Sequence, residues 1–326
     1  MQKLNQFKCK QKGAALIIFA VVIFLITLTL TFNNLNGKQI EALRKDKTAK
    51  ALFEAKNALL GWSVLRGATG QPGTPGQLPC PEDTTLIGTV NEGSALANCD
   101  SALPVVGRLP WRTLDLGDMR DGNGDKLWYA LSSGFRKSPI NSTISGQINL
   151  DGIPNTAVAI IFSSGAILTG QNRPLPTSIF PPQVADYLDL ENNDGDISFT
   201  STGPAGTYND GMLVVTQAEL FQLVERRILR EVRGDATQGL ARFYIASASN
   251  YAFADIDNDG YINAGQLVGK PSYQGTSNID PANLFFNTAM KNILTSNNWM
   301  SLINYQITAD RQTVTMTLNG QILTVR

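Results

Sequence analysis

The sequence predicts an α+β fold in which one long N-terminal helix packs on an antiparallel sheet with inserted helices and loops. Three observations carry this. A helical pattern runs unbroken from Ala14 to about Arg66, short alternating strands gather toward the C-terminus, and capping signals mark helices among them.

Met1 to Lys12 is short, polar and basic, with Lys3, Lys8, Lys10 and Lys12. Gly13 follows, and then an uncharged stretch from Ala14 to Phe32 (AALIIFAVVIFLITLTLTF). Its length, about nineteen residues, lies at the lower edge of what spans a bilayer. The preceding lysines place the N-terminus on the cytoplasmic side. An ordinary signal peptide is the rival reading, but its apolar region is normally shorter and ends in a small-x-small site. Here the run ends LTLTFNN.

From Asn33 to Arg66 there is no proline, and Gly37 is the only glycine before Gly61. Ile40, Leu43, Ala51, Leu52, Ala55, Ala58, Leu59 and Trp62 recur mostly at threes and fours, the period of an amphipathic helix. Arg44, Lys45, Asp46, Lys47, Lys50, Glu54 and Lys56 fill its other face. A helix over 14–66 is ~80 Å long. The glycine- and proline-rich stretch Gly67–Gly76 ends it.

Downstream, Leu127–Leu131, Thr156–Ser163 and Gly211–Val215 read as strands. Thr216 and Glu219 form a capping box for a helix running to about Val232, before Gly234. Asp280–Pro281 opens a further helix to about Leu294. Strands follow at Leu302–Thr308, Thr313–Leu318 and Gln321–Val325, with Asn319–Gly320 as a hairpin turn between the last two.

Composition narrows the function classes. The 27 basic residues balance the 27 acidic ones. No basic stripe follows the N-terminal lysines, so nucleic acid is not an expected partner. The charged fraction of 17% and the wealth of Gly, Ser, Thr and Asn point to a secreted, loop-rich domain. There is no histidine, which removes histidine-based triads and the common zinc sites. No nucleophile motif stands out either. An enzyme is not expected, although carboxylates for glycoside chemistry are plentiful.

A basic leader ending in glycine, a membrane-length apolar segment and an amphipathic continuation resemble the N-terminus of type IV pilins and type II secretion pseudopilins. The likeness covers about Lys12 to Arg66. It implies a leader at 1–13, a transmembrane half-helix at 14–32, an amphipathic half at 33–66 and a periplasmic pilin-like domain at 67–326. It also implies cleavage between Gly13 and Ala14 by a prepilin peptidase, methylation at Ala14 and single-pass insertion in the inner membrane. Assembly with other pilin or pseudopilin subunits into a pilus or pseudopilus would follow. Two positions depart from the family pattern. Ala14 stands where Phe or Met is usual, and Ile18 where a glutamate pairs with the neighbouring subunit's amine. Loss of that glutamate is a feature of the large tip subunit of secretion pseudopili, so Ile18 implies a minor subunit at the tip. On the alternative reading, Ile18 marks an ordinary membrane helix.

If the chain is cut after Gly13, Cys9 leaves and Cys80 and Cys99 remain as a pair. A disulfide between them would close a loop of about twenty residues and stabilise by roughly 3 kcal/mol. Two free thiols are the alternative. LPCP at 78–81, GRLPWR at 107–112 and DGNGDKLWYALS at 121–132 resemble a segment of large pilin-like proteins, which implies a pilin-like domain and no activity. Pro79, Pro81, Pro104 and Pro110 stiffen this region. Trp111, Trp128 and Tyr129 are expected as core aromatics. A pilus-tip adhesin or ligand-binding module would instead expose Trp111, Trp128 and Trp299 as contacts.

One metal-like constellation remains. Asp255, Asp257 and Asp259 alternate, Gly260 permits the sharp turn, Tyr261 would offer its carbonyl and Asn263 stands at the ninth position. This is the spacing of a Ca²⁺ loop, with Gln266 replacing the usual bidentate glutamate. A solvated Asp/Asn-rich turn is the alternative. The runs Asp189–Asp196 and Asp121–Asp125 are weaker, because neither has glycine at the required offset.

Overall fold

A computed structural model describes residues 14–68, 72–100, 104–273 and 286–326; the side chains at 14–16 and 28–36 lie outside the described set. The leader at 1–13, with Gly13, also lies outside it. In chain order the elements begin with α1 (Ala14–Leu65), β1 (Val105–Arg108), β2 (Trp128–Leu131), β3 (Ile148–Leu150), β4 (Ile153–Ala157), β5 (Ala159–Ser163), β6 (Ser198–Phe199) and β7 (Gly211–Val215). Then come α2 (Gln217–Arg233), α3 (Gly239–Ala246), β8 (Val268–Gly269), α4 (Thr288–Ser296) and α5 (Trp299–Leu302). The strands β9 (Asn304–Ile307), β10 (Val314–Leu318) and β11 (Gln321–Val325) close the chain.

The long N-terminal helix is continuous over 52 residues. Its described apolar side chains from Ile17 to Ile26 are exposed, and so is most of the stretch from Gly37 to Lys50. Those apolar side chains cover roughly 15 Å of helix, about half of a ~30 Å hydrocarbon core. Among the described residues, no helix is long and apolar enough to cross a membrane. The expected span at 14–32 lies partly outside those residues. Packing starts near Thr48, and Ala51, Leu52, Ala55 and Leu59 are buried. These four follow the three-and-four spacing of an apolar helix face.

Among the described residues, the mixed α+β architecture has three sheets. The central one runs β1-β2-β5-β7 and is antiparallel throughout. Both of its faces are covered, and alternation along the strands divides the core. Tyr129, Leu131 and Ile161 join the helix side with Leu59 and Val215. Trp128, Ala130, Ile160 and Phe162 join the other side with Ile148, Ala157 and Phe199 of the small β4-β3-β6 sheet. In that small sheet β3 pairs antiparallel with β4 and parallel with β6.

The predicted strand Thr156–Ser163 is two strands in different sheets, which corrects the single-strand reading. The chain changes sheet at Val158, whose N–H donates to Val215 O at 2.9 Å and whose carbonyl accepts from Ser132 N–H at 2.9 Å. Continuous apolar character cannot distinguish one buried strand from two that hand over between layers.

The second helix starts where the capping box places it. Glu219 N–H donates to Thr216 Oγ1 at 3.3 Å, and Thr216 N–H donates to Glu219 Oε2 at 3.0 Å. Gly234 ends it. Its apolar face (Leu220, Phe221, Val224, Ile228, Val232) shares one core with α1 and with Val314, Met316 and Leu318 of the C-terminal sheet. That sheet runs β11-β10-β9-β8. Its β10–β11 hairpin turns at Asn319 and Gly320, at φ 44° and 84°. Positive φ at both central positions is what an Asn-Gly turn supplies. The helix expected from Asp280–Pro281 is described only from Thr288, where Asn287 caps it by accepting Met290 N–H at 2.8 Å. Asp280 and Pro281 lie outside the described residues.

Candidate functional site

The predicted metal loop leaves β8's neighbourhood as an Asx-rich turn held at both ends. Asp255 pairs with Lys270 in an isolated antiparallel bridge, and Asn263 N–H donates to Ala254 O at 3.1 Å. Asp255 is fully buried. One of its carboxylate oxygens accepts Asn258 N–H and the other Gly260 N–H, each at 2.7 Å. Asp255, Asp257 and Asp259 each bring one carboxylate oxygen within 4.8 Å of the others. Burial pushes the Asp255 carboxyl upward, and the neighbouring Asp257 and Asp259 push the same way. Three hard oxygens crowded against mutual repulsion are a donor set suited to a hard cation such as Ca²⁺.

Of the other two expected ligands, the Asn263 side chain is committed within the turn, and Tyr261, whose carbonyl was the expected donor, ties its amide back to Asp259. Asn263 Oδ1 accepts Ile256 N–H at 2.7 Å, and Tyr261 N–H donates to Asp259 Oδ1 at 2.8 Å. Gln266 at the twelfth position is exposed. The loop therefore keeps its shape through its own hydrogen bonds, and a bound cation would engage three carboxylates first.

The two weaker clusters differ from each other. Glu191, Asp194 and Asp196 converge within 4.8 Å but are all exposed. The turn at Asp121–Lys126 is a structural clamp. Asp121 is fully buried and accepts from Asn123 N–H at 2.8 Å, Asp125 N–H at 3.0 Å and Ser163 Oγ at 2.6 Å. Asp125 is ion-paired with Arg173 at 2.5 Å. Gly122 lies so near α1 that a Cβ there would meet Arg44 O at 2.0 Å, and its N–H donates to Thr48 Oγ1 at 2.9 Å. The turn thus seats the domain on the helix where packing begins.

Cys80 and Cys99 are disulfide-bonded, with Cα atoms 5.8 Å apart. Asp83 N–H to Ser94 O (2.7 Å) and Leu96 N–H to Pro81 O (2.9 Å) zip the base of the loop. Arg136 Nη1 holds the far cysteine by donating to Cys99 O at 2.6 Å. Glu82 is buried within this region, and burial pushes its carboxyl upward against the opposing pull of Lys126 and Arg108. Lys126 is ion-paired with Glu92.

Trp128, Trp299 and Tyr129 are fully buried, and Trp111 is half-buried beside Arg112 and Lys126. An aromatic contact platform built on Trp128 and Trp299 is therefore overturned, because each fills the core where sheet and helices meet. Ala14 is the first residue of α1, and Ile18 is 64% exposed on it.

A buried polar network in the 164–210 region takes in Asp189, Asn192 and Asp125 of the two weaker runs, in a hydrogen-bonded arrangement with Arg173 and Asp210 that the sequence did not predict. Arg173 donates to Ser164 O (2.8 Å) and Gly165 O (3.0 Å) as well as pairing with Asp125. Asp189 accepts Gln171 Nε2 at 2.7 Å and Asn209 N–H at 2.8 Å. Asp210 accepts Asp189 N–H and Asn192 Nδ2, each at 2.9 Å. Burial pushes the Asp210 carboxyl up to about 7, with Asp189 adding to the shift. The available signal was Arg173 itself, the lone cation in an acidic stretch.

No protein-family model, curated protein or solved structure matches this chain.

Proposed function

We propose that this chain is a minor, tip-located pilin or pseudopilin, cut after Gly13 by a prepilin peptidase and assembled with other such subunits. The observation that carries the reading is the division of α1. One unbroken helix has an exposed apolar N-terminal part, while Ala51, Leu52, Ala55 and Leu59 farther along it are buried in an α+β domain. A helix that anchors its own domain at one end and presents apolar side chains at the other suits a subunit held first in lipid and then among neighbouring helices. Before assembly it would sit in the inner membrane with its C-terminal domain in the periplasm. The disulfide supports an oxidising compartment for that domain. The bulk of the 67–326 region favours a single position at a fibre end over repeated use along it. Calcium at Asp255, Asp257 and Asp259 would pin the connection into β8 in a calcium-rich exterior.

Intact-mass and N-terminal analysis of the protein recovered from membranes, with and without the peptidase, tests this. A peptidase-dependent chain starting at methylated Ala14 is expected. A full-length chain in both strains, or a start beyond Phe32, would overturn the pilin reading.

A further inference from the structure

An open cleft of about 610 Å³ lies between the first turns of α2 and the β10–β11 turn, with Ser142 and Thr156 on its far wall. One carboxylate sits deep in it. Glu225 is 2% exposed and falls three residues after Gln222, so both face the cleft from one side of α2. Glu225 Oε1 accepts Asn319 Nδ2 at 3.0 Å, and the Ser142 side chain adds a second hydrogen bond. Both donors are neutral.

The nearby cations are engaged elsewhere. Glu219, the cleft's other acid, is paired with Lys56 Nζ at 2.6 Å. Arg226 donates its Nε to Gln321 Oε1 at 3.0 Å, and Arg227 pairs with Glu231 at 3.2 Å. Among the described residues no lysine or arginine forms an ion pair with Glu225. Its carboxyl is pushed upward by burial, opposed only by its two hydrogen bonds. The rest of the lining is uncharged and rich in acceptor oxygens, including Thr156, Gln217 and Gln222.

We infer that this cleft binds an organic cation with N–H donors, an alkylammonium or guanidinium group, with Glu225 as its counter-charge. A buried carboxylate satisfied by neutral donors keeps its charge uncompensated, and a charge-assisted N–H···O bond there is stronger than one in water. Anions are repelled by Glu225, whose charge has no cationic partner among the described residues. The donor could be a free amine or a basic side chain on a protein segment; the chemistry of recognition is the same. The site stands independently of the pilin reading.

The test uses the full-length protein in detergent micelles, titrated calorimetrically with cadaverine, with acetyl-Gly-Lys-Gly-amide and with n-pentanol. Saturable binding of both cations and none of n-pentanol is expected. Glu225→Gln should weaken the cations by about tenfold or more. Gln222→Lys places an internal ammonium beside Glu225 and should block cadaverine in a folded protein, even if the first variant folds poorly. Tighter binding of the peptide identifies a protein segment as the natural source, and tighter binding of cadaverine a free amine. No saturable response to either cation would overturn the site. So would unchanged affinity in Gln222→Lys or in folded Glu225→Gln, which would leave Glu225 as an anchor for the hairpin alone.

Discussion

Replacing Cys80 and Cys99 together by alanine should lower stability by about 3 kcal/mol, because a closed loop of this length restricts the unfolded chain by that amount. The sequence separation is 19. The folded loop should survive the change. Its base keeps the Asp83–Ser94 and Leu96–Pro81 backbone bonds, the Ala95 N–H to Thr113 Oγ1 bond at 2.8 Å, and the Arg136 link to Cys99 O. The loss therefore falls on the unfolded ensemble, and the melting temperature should drop by roughly 6–12 °C for a domain of this size. Thermal unfolding by circular dichroism, comparing the double variant with wild type before and after reduction, measures it. Reduced wild type and the double variant should coincide. An unchanged midpoint in the variant would refute the loop-closure reasoning. A variant far less stable than reduced wild type would show that the cysteines act through packing instead.

Three further outcomes follow from particular contacts. Calcium at ten times its dissociation constant should add about 1.4 kcal/mol to stability, and Asp257→Asn with Asp259→Asn should abolish that gain; an equal calcium response in the variant would remove the loop as the site. Asp210, held at about 7, keeps a proton in the folded state that the unfolded chain releases near pH 4. That contribution is present at low pH and is lost as pH rises through 7, with a slope of up to about 1.4 kcal/mol per pH unit. Asp210→Asn should flatten the urea midpoint between pH 5 and 7, and an unchanged slope would contradict the assignment. Thr216→Ala should cost about 1 kcal/mol by uncapping α2, measured as a shift in the same midpoint, and a loss under a few tenths would mean that the Lys56–Glu219 pair holds the helix start by itself.

Local signals proved readable from sequence. The 14–66 pattern corresponds to α1, the Thr216/Glu219 box starts α2, and Gln321–Val325 pairs with β10 through the Asn319–Gly320 turn. Each rests on residues within one or two turns of one another, so short-range chemistry is sufficient. The Cys80–Cys99 pairing was one of two open readings, and the bond exists. The short helices α3 and α5 had no such signal: Gly239 opens the first, and Asn298 in a left-handed conformation precedes the second.

The sequence by itself determined the long helix, its apolar and charged halves, the caps and hairpin, and the alternation of Asp255, Asp257 and Asp259. Tertiary structure decided what those residues face. Only packing reveals that Val158 hands the chain between two sheets, that the Asp121–Lys126 turn seats on Arg44 and Thr48, and that Trp128 and Trp299 lie in the core. The same holds for the network around Asp210 and for Glu225 beside Asn319, 94 positions away in the chain. Burial and charge compensation depend on partners remote in sequence, and a linear pattern carries no record of which distant groups share one low-dielectric space.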